Sequence, residues 1–324
     1  MKPGMEEIQM SSTAMSATAA DLIIHQYTHE RAFSVKTRLM LGFKNAEWFA
    51  VDHATILPKP YLTPLTAGYR QIPVAQIGAS IFCGSELVMD LLEARIPEPS
   101  LTRSSGPGLG RGIAHWAEDS LFWLNVQIVC ASDFEATERE DFNHDRQQML
   151  PGIYDLEAMK AALPGNLQSL RAHLDLIERQ LVDGRSYIMG DSPDITDISL
   201  YFPLEFLGYC RNGNERIPAQ YPAISGWMER VAALGHGQRH TLSGAEAMAV
   251  ARAASPAVNP VSTVNEGPQP GDRIRVQWSA FSPADLVGVV VETHPRTLAV
   301  AWASPEAGDL LIHFPRSAGQ IAAA

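Results

Sequence analysis

Cysteine is scarce in this chain: Cys83, Cys130 and Cys210 are the only three among 324 residues. They are odd in number and widely spaced, which excludes a disulfide framework and offers no zinc-type pairing. A reducing cytoplasm is the expected setting. Long apolar runs are absent too, so no membrane-crossing helix is expected. Residues 1–20, MKPGMEEIQMSSTAMSATAA, lack both an apolar core and a basic lead-in, and read as a disordered tail rather than a secretory leader. Positive charge is in deficit: 25 Lys and Arg stand against 36 Asp and Glu, a formal charge of −11. That balance argues against a broad nucleic-acid surface. Neither a nucleic-acid nor a membrane partner is expected.

What is present is an ordinary globular composition, 46% hydrophobic and 19% charged, in a chain long enough for two or three domains. Residues 22–27 (LIIHQY) and 47–51 (EWFAV) are short apolar runs that predict buried strands. Between them, residues 34–42 have helical spacing. Residues 72–76 and 80–83 predict a hairpin closed by Ile77-Gly78-Ala79. A helix then opens at Gly84-Ser85. A stretch rich in Pro, Gly and Ser at 97–109 predicts a linker. From 110 to 240 the pattern is helical: an amphipathic run over 113–128, helices over 156–163 and 166–182, a capping-box start at Asp194 and Asp197, and a last helix around Trp227. Pro203 is expected to kink or shorten its helix. Residues 241–267 predict a linker, a helix or both. From 268 to 324, Ile274, Val276 and Trp278 alternate with polar residues and further short apolar runs follow, which predicts a small β-barrel.

These parts, in this order, resemble the cytosolic glutathione transferase family over residues 21–240. The resemblance rests on LIIHQY…FSVKTRLML, the Ile-Pro-Val of the hairpin, the Gly-Ser opening the next helix, GDSPDITDISLYFPL and GWMERVAALGHG. It implies an α/β thioredoxin-like domain (21–96) followed by an all-α helical domain (110–240). The β-barrel at 268–324 is additional, and is similar to an accessory domain of a bacterial subgroup.

The resemblance also implies a ligand, glutathione, as co-substrate. Ile72-Pro73 is the leading candidate: a cis bond costs little before proline, and in the family the backbone of the preceding residue pairs with glutathione like an added strand. Ser85 at a helix N-terminus matches the residue that takes the γ-glutamyl carboxylate. Gly84 stands where the family usually has an acidic residue that meets the γ-amino group, and Glu86 is a candidate substitute. Lys59 and Arg70 are candidate partners of the glycyl carboxylate, with solvated surface charge the alternative for each and interdomain or dimer contacts a further alternative for Arg70. Aligned on Ser-Pro-Phe-Ser before Lys-x-Arg-Leu, this chain reads Arg31-Ala32-Phe33-Ser34. The usual catalytic serine is therefore Arg31. Ser34 is the nearest hydroxyl, unless it serves only as an N-cap, and Tyr27, Thr28 and His29 are further options. Ser34 and Arg31 are the catalytic candidates.

Trp116, Phe122, Tyr201, Phe206 and Tyr209 are candidates for an apolar pocket or for plain core. Cys83 reads as core. His25 and His29, with His53 or Glu30, make only a weak metal candidate, and no metal is expected. The resemblance implies a homodimer acting on an apolar electrophile. Two alternatives stand beside it. The chain is a binding protein that has lost the chemistry, as Arg31 and Gly84 suggest, or the barrel recruits a partner. Arg273, Arg275, Arg296 and Arg316 are balanced there by Asp272, Asp285, Glu292, Glu306 and Asp309, so a packing or oligomerisation role fits better than RNA.

Overall fold

A computed structural model describes residues 16–27, 32–256, 258–280, 282 and 284–324. Most of the expected tail, residues 1–15, lies outside the described residues.

The first unit is a βαβ motif followed by a hairpin. Strand β1 (Ile23–Gln26) leads through α1 (Phe33–Phe43) to β2 (Glu47–Asp52), which pairs with it in parallel. A short helix, α2 (Thr63–Thr66), precedes β3 (Val74–Ile77), β4 (Ser80–Cys83) and α3 (Ser85–Arg95). β3 lies antiparallel to both β1 and β4. Ile23, Ile24 and Trp48 to Val51 are buried, because both sheet faces are covered; such strands read as continuous apolar runs rather than alternating ones.

The second unit is helical. α4 (Gly106–Trp116) passes through a π-helical stretch (Ala117–Phe122) into α5 (Trp123–Cys130). α6 (Glu140–Met149), α7 (Leu156–Leu181), α8 (Ile195–Phe206) and α9 (Pro222–Ala232) follow. The two helices expected over 156–182 are one helix. Pro164 sits on its exposed face, where water can serve the carbonyl that loses its N–H partner. The buried stripe is Leu170, Leu174, Ile177 and Leu181. The capping box at α8 is as expected: Asp197 accepts from the Asp194 N–H at 3.0 Å and from Trp227 Nε1 at 2.8 Å. Burial pushes the Asp197 carboxyl up to about 6. Pro203 does not stop the helix, and its carbonyl accepts from Asn125 Nδ2 at 2.8 Å.

The stretch after residue 237 is more structured than a linker. β5 (Gln238–Thr241) pairs in parallel with β2, and α10 (Gly244–Arg252) is closed by a Ser243–Glu246 capping box. Then come β6 (Val261–Ser262), β7 (Arg273–Trp278), β8 (Leu286–Thr293), β9 (Thr297–Ser304), β10 (Gly308–Pro315) and β11 (Gly319–Ala323). The expected β unit is present, but it is not a closed barrel among the described residues. β11 pairs with β7, while the second edge of β10 is taken by β4, with Leu311 opposite Ser80 and His313 opposite Phe82. One sheet therefore runs β11-β7-β8-β9-β10-β4-β3-β1-β2-β5, with β6 on β8.

The terminal strands also share a core with the first unit. Leu62, Leu65, Tyr69, Ile72, Val74, Ile81 and Cys83 pack in one cluster with Ile274, Val276, Trp278, Leu298, Val300, Ile312 and Phe314. The terminal β unit is thus built into the body that carries the candidate site.

Candidate functional site

The site begins where β3 and α3 meet. Ile72-Pro73 is cis, as expected. The Ile72 N–H and C=O take no hydrogen-bond partner among the described residues. One residue on, the Pro73 carbonyl accepts from the Gly84 N–H at 2.9 Å. That bond sets the backbone edge at Ile72 beside the first turn of α3. No side chain caps α3, so its first N–H groups and the partial positive charge of the helix end are available to an anion. Ser85 is 7% exposed.

Gly84 has φ 94, a conformation that favours glycine over an acidic residue. A Cβ built there would lie 3.5 Å from the Tyr69 hydroxyl and 3.8 Å from the Pro315 ring. Glu86 does not turn back to fill this space. Its carboxylate is held by Arg111, at 3.2 Å, and by Arg296.

Lys59 and Arg70 are not solvated surface charges; both are buried. Lys59 Nζ donates to the Tyr27 hydroxyl and to the Arg70 carbonyl, each at 2.7 Å. It also lies 4.6 Å from the Tyr27 ring centroid, a cation–π distance. Burial, reinforced by the nearby Arg70 and Arg146 charges, pushes its pKa down to about 7. Arg70 Nη2 donates to both oxygens of Asp145, at 2.6 and 2.7 Å, while its Nε and Nη1 are buried without a partner. Asp145 was not a sequence candidate. It lies on α6, whose polar stretch EDFNHDRQQM gave no apolar period to read.

Thr28, His29, Glu30 and the catalytic candidate Arg31 lie outside the described residues. Ser34 lies in the first turn of α1, but the N-cap is Ala32 with φ 65, so Ser34 is not the cap. Its buried Oγ accepts from the Tyr27 N–H at 3.2 Å. The hydroxyl proton is left free to be donated, which is what thiolate stabilisation would need.

His25 is fully buried. Its Nδ1 lies 2.9 Å from His53 Nε2, and its Nε2 lies 3.0 Å from Gln76 Oε1. Burial pushes His25 down to about 4 and His53 to about 2, so the pair is neutral. No group of three metal-ligating side chains occurs among the described residues. Cys83 is buried, as expected, and burial raises its thiol pKa.

Of the expected aromatic lining, Phe122, Phe206 and Tyr209 belong to one cluster. Phe122 lies 5.0 Å from Phe33, 5.4 Å from Phe202 and 5.3 Å from Phe206, and Phe206 lies 5.4 Å from Tyr209. Phe33, beside Ser34, brings the cluster to the start of α1. Trp116 packs on His173 instead, and Tyr201 on Trp227.

Residues 160–230 match the family model for the glutathione S-transferase C-terminal domain. A GST-like protein from Pseudomonas syringae is 30% identical, the match covering 94% of this chain and 100% of that one, with a TM-score of 0.77. The chain belongs to the glutathione S-transferase family. At 94% coverage the match to the Pseudomonas syringae relative takes in most of the terminal β unit, so this family member shares that unit with another. A glutathione transferase family member from Pseudomonas fluorescens Pf-5, solved with two glutathione bound, is 14% identical. That match covers 66% of this chain and 89% of the other with a TM-score of 0.51, and it shows the fold alone. No curated protein matches this transferase family member.

Proposed function

We propose that this family member binds glutathione and transfers its thiolate to an apolar electrophile. The observation that carries the reading is the 2.9 Å bond between Gly84 N–H and Pro73 C=O. It sets a free backbone edge and an open helix N-terminus side by side, the two features a γ-glutamyl peptide needs. The cysteinyl backbone pairs with the Ile72 N–H and C=O as a short added strand. The γ-glutamyl carboxylate takes the Ser85 hydroxyl and the first N–H groups of α3. The thiol then lies toward the start of α1, where the Ser34 hydroxyl donates a hydrogen bond to the thiolate. An electrophile approaches from the side of Phe33 and Phe122. Lys59 and Arg70 supply positive potential at the glycyl end from beneath the surface rather than by direct exposure. The protein is read as a cytoplasmic homodimer, which sedimentation would test.

The test is calorimetry with glutathione on wild type and Ser85→Ala, followed by conjugation assays with several electrophiles. Binding is expected in wild type and about tenfold weaker in Ser85→Ala, the worth of one charge-assisted hydrogen bond. No binding at millimolar glutathione defeats the reading.

One observation favours a second reading, a glutathione-binding protein without turnover. Ser34 is 1% exposed and its oxygen is already occupied by the Tyr27 N–H. Binding with no conjugation of any electrophile would establish it. A recruiting role for the terminal β unit fits less well, because its apolar face is spent on the shared core.

A further inference from the structure

Tyr69 has no part in the reading so far. It is 6% exposed, and its hydroxyl makes no hydrogen bond among the described residues. The ring is buried, but the hydroxyl oxygen is not among the fully buried atoms without a partner, so it borders accessible space and its location matters. The oxygen lies 3.5 Å from where a side chain on Gly84 would begin. That is the point from which an acidic residue would meet an ammonium group. Glu86, the nearest carboxylate in sequence, is taken by Arg111 and Arg296.

The tyrosine is firmly placed. Trp278 meets its ring edge-on, with centroids 5.4 Å apart at 74°. Trp278 Nε1 donates to the Ala67 carbonyl at 2.9 Å, and Ser282 Oγ donates to the Gly68 carbonyl at 2.7 Å. The terminal β unit therefore fixes the loop that aims Tyr69 at the start of α3. Burial raises the phenol pKa, so the group stays neutral and its oxygen is an acceptor at any working pH.

We propose that the Tyr69 hydroxyl oxygen accepts a hydrogen bond from the γ-glutamyl ammonium of glutathione, in place of the side chain that Gly84 lacks. This rests on the docking of glutathione proposed above. It makes Tyr69 a specificity determinant for the amino group, and it gives Trp278 a positioning role.

The test uses the full-length protein, wild type and Tyr69→Phe, with two ligands: glutathione and its des-amino analogue, glutaryl-cysteinyl-glycine. Calorimetry gives Kd for each pair. Wild type is expected to bind glutathione roughly tenfold or more tightly than the analogue, the worth of a hydrogen bond to a charged group. Tyr69→Phe is expected to lose that factor for glutathione and to leave the analogue unchanged. A variant that weakens both ligands equally, or neither, overturns the assignment. Equal binding of both ligands by wild type also overturns it, without recourse to a variant. If wild type binds neither ligand, it is the docking itself that fails. Binding of glutathione undiminished by Tyr69→Phe refutes the tyrosine alone.

Discussion

Asp145→Ala is the most informative single change. Asp145 and Arg70 have side chains 8% and 1% exposed. The carboxylate accepts from Arg70 at 2.6 and 2.7 Å, from the Leu57 N–H at 3.1 Å and from Arg146 at 2.6 Å. Two of the Arg70 nitrogens already lack partners, so no compensating bond is ready when Asp145 is lost. Removing one member of a buried pair costs about 3–5 kcal/mol, most of it the penalty for the charge left behind. Urea unfolding at pH 7, followed by far-ultraviolet circular dichroism, should show a loss of that size by linear extrapolation. Arg70→Met/Asp145→Leu should recover most of it, because replacing both charges is often near neutral. A loss below about 1 kcal/mol, or a double variant as unstable as the single one, would refute the argument that Arg70 is held by Asp145 against its own desolvation. The same change should weaken glutathione binding, since Arg70 lies in the loop that leads to Ile72.

Three further outcomes are expected. The folded-state pKa of His25, about 4, lies below the usual 6.5, so the folded protein binds fewer protons than the unfolded chain between those values. Stability should then fall as pH drops below about 6.5, by up to about 1.4 kcal/mol per pH unit for this histidine. Asp197, raised to about 6, acts in the opposite sense, so the measurement is the difference between the wild-type and His25→Gln curves; a flat difference contradicts the prediction. Ser34→Ala should cost about 0.5–1.5 kcal/mol in the same unfolding assay by removing the hydrogen bond from the Tyr27 N–H; an unchanged midpoint would mean that this bond does not matter. Ending the chain at Gly267 should give insoluble protein, because Ile81, Cys83 and Tyr69 lose Val276, Trp278 and Phe314; a soluble, cooperatively melting fragment would show that the first unit stands alone.

Local features were the legible ones. The Asp194–Asp197 capping box, the Ile72-Pro73 junction and the apolar stripe of α7 each lie within a few residues of their partners, and they could be read from spacing. The split expected within α7 was wrong because a proline on a solvated face removes a bond that water replaces. α6 and β5 escaped notice because EDFNHDRQQM and QRHT lack an apolar period; tertiary contacts, not local preference, make them regular. The barrel was half right. Alternation revealed the strands, but nothing in 308–315 says that its free edge is completed by 80–83. The candidates Ile72, Gly84 and Ser85, named from sequence, lie near one another in the fold. Asp145 and Tyr69 were not read from the sequence, since Asp145 meets Arg70 75 residues away and the Tyr69 hydroxyl comes near Gly84 only in the folded chain.

The pairing of β10 with β4 has a consequence for biosynthesis. Contacts such as Ser304 Oγ to the Pro64 carbonyl join residues 240 positions apart. On the ribosome, residues 62–85 emerge long before 308–315 exist. Through that interval β4 has an uncovered edge, and the apolar side chains around Tyr69 have no lid. Such an edge is a template for pairing with other chains. The nascent protein must therefore be shielded, by chaperones or by fast burial of its other face, until residues 308–315 are made. The candidate site should be completed only after 308–315 are made, and a chain terminated before them should be recognised as misfolded rather than persist.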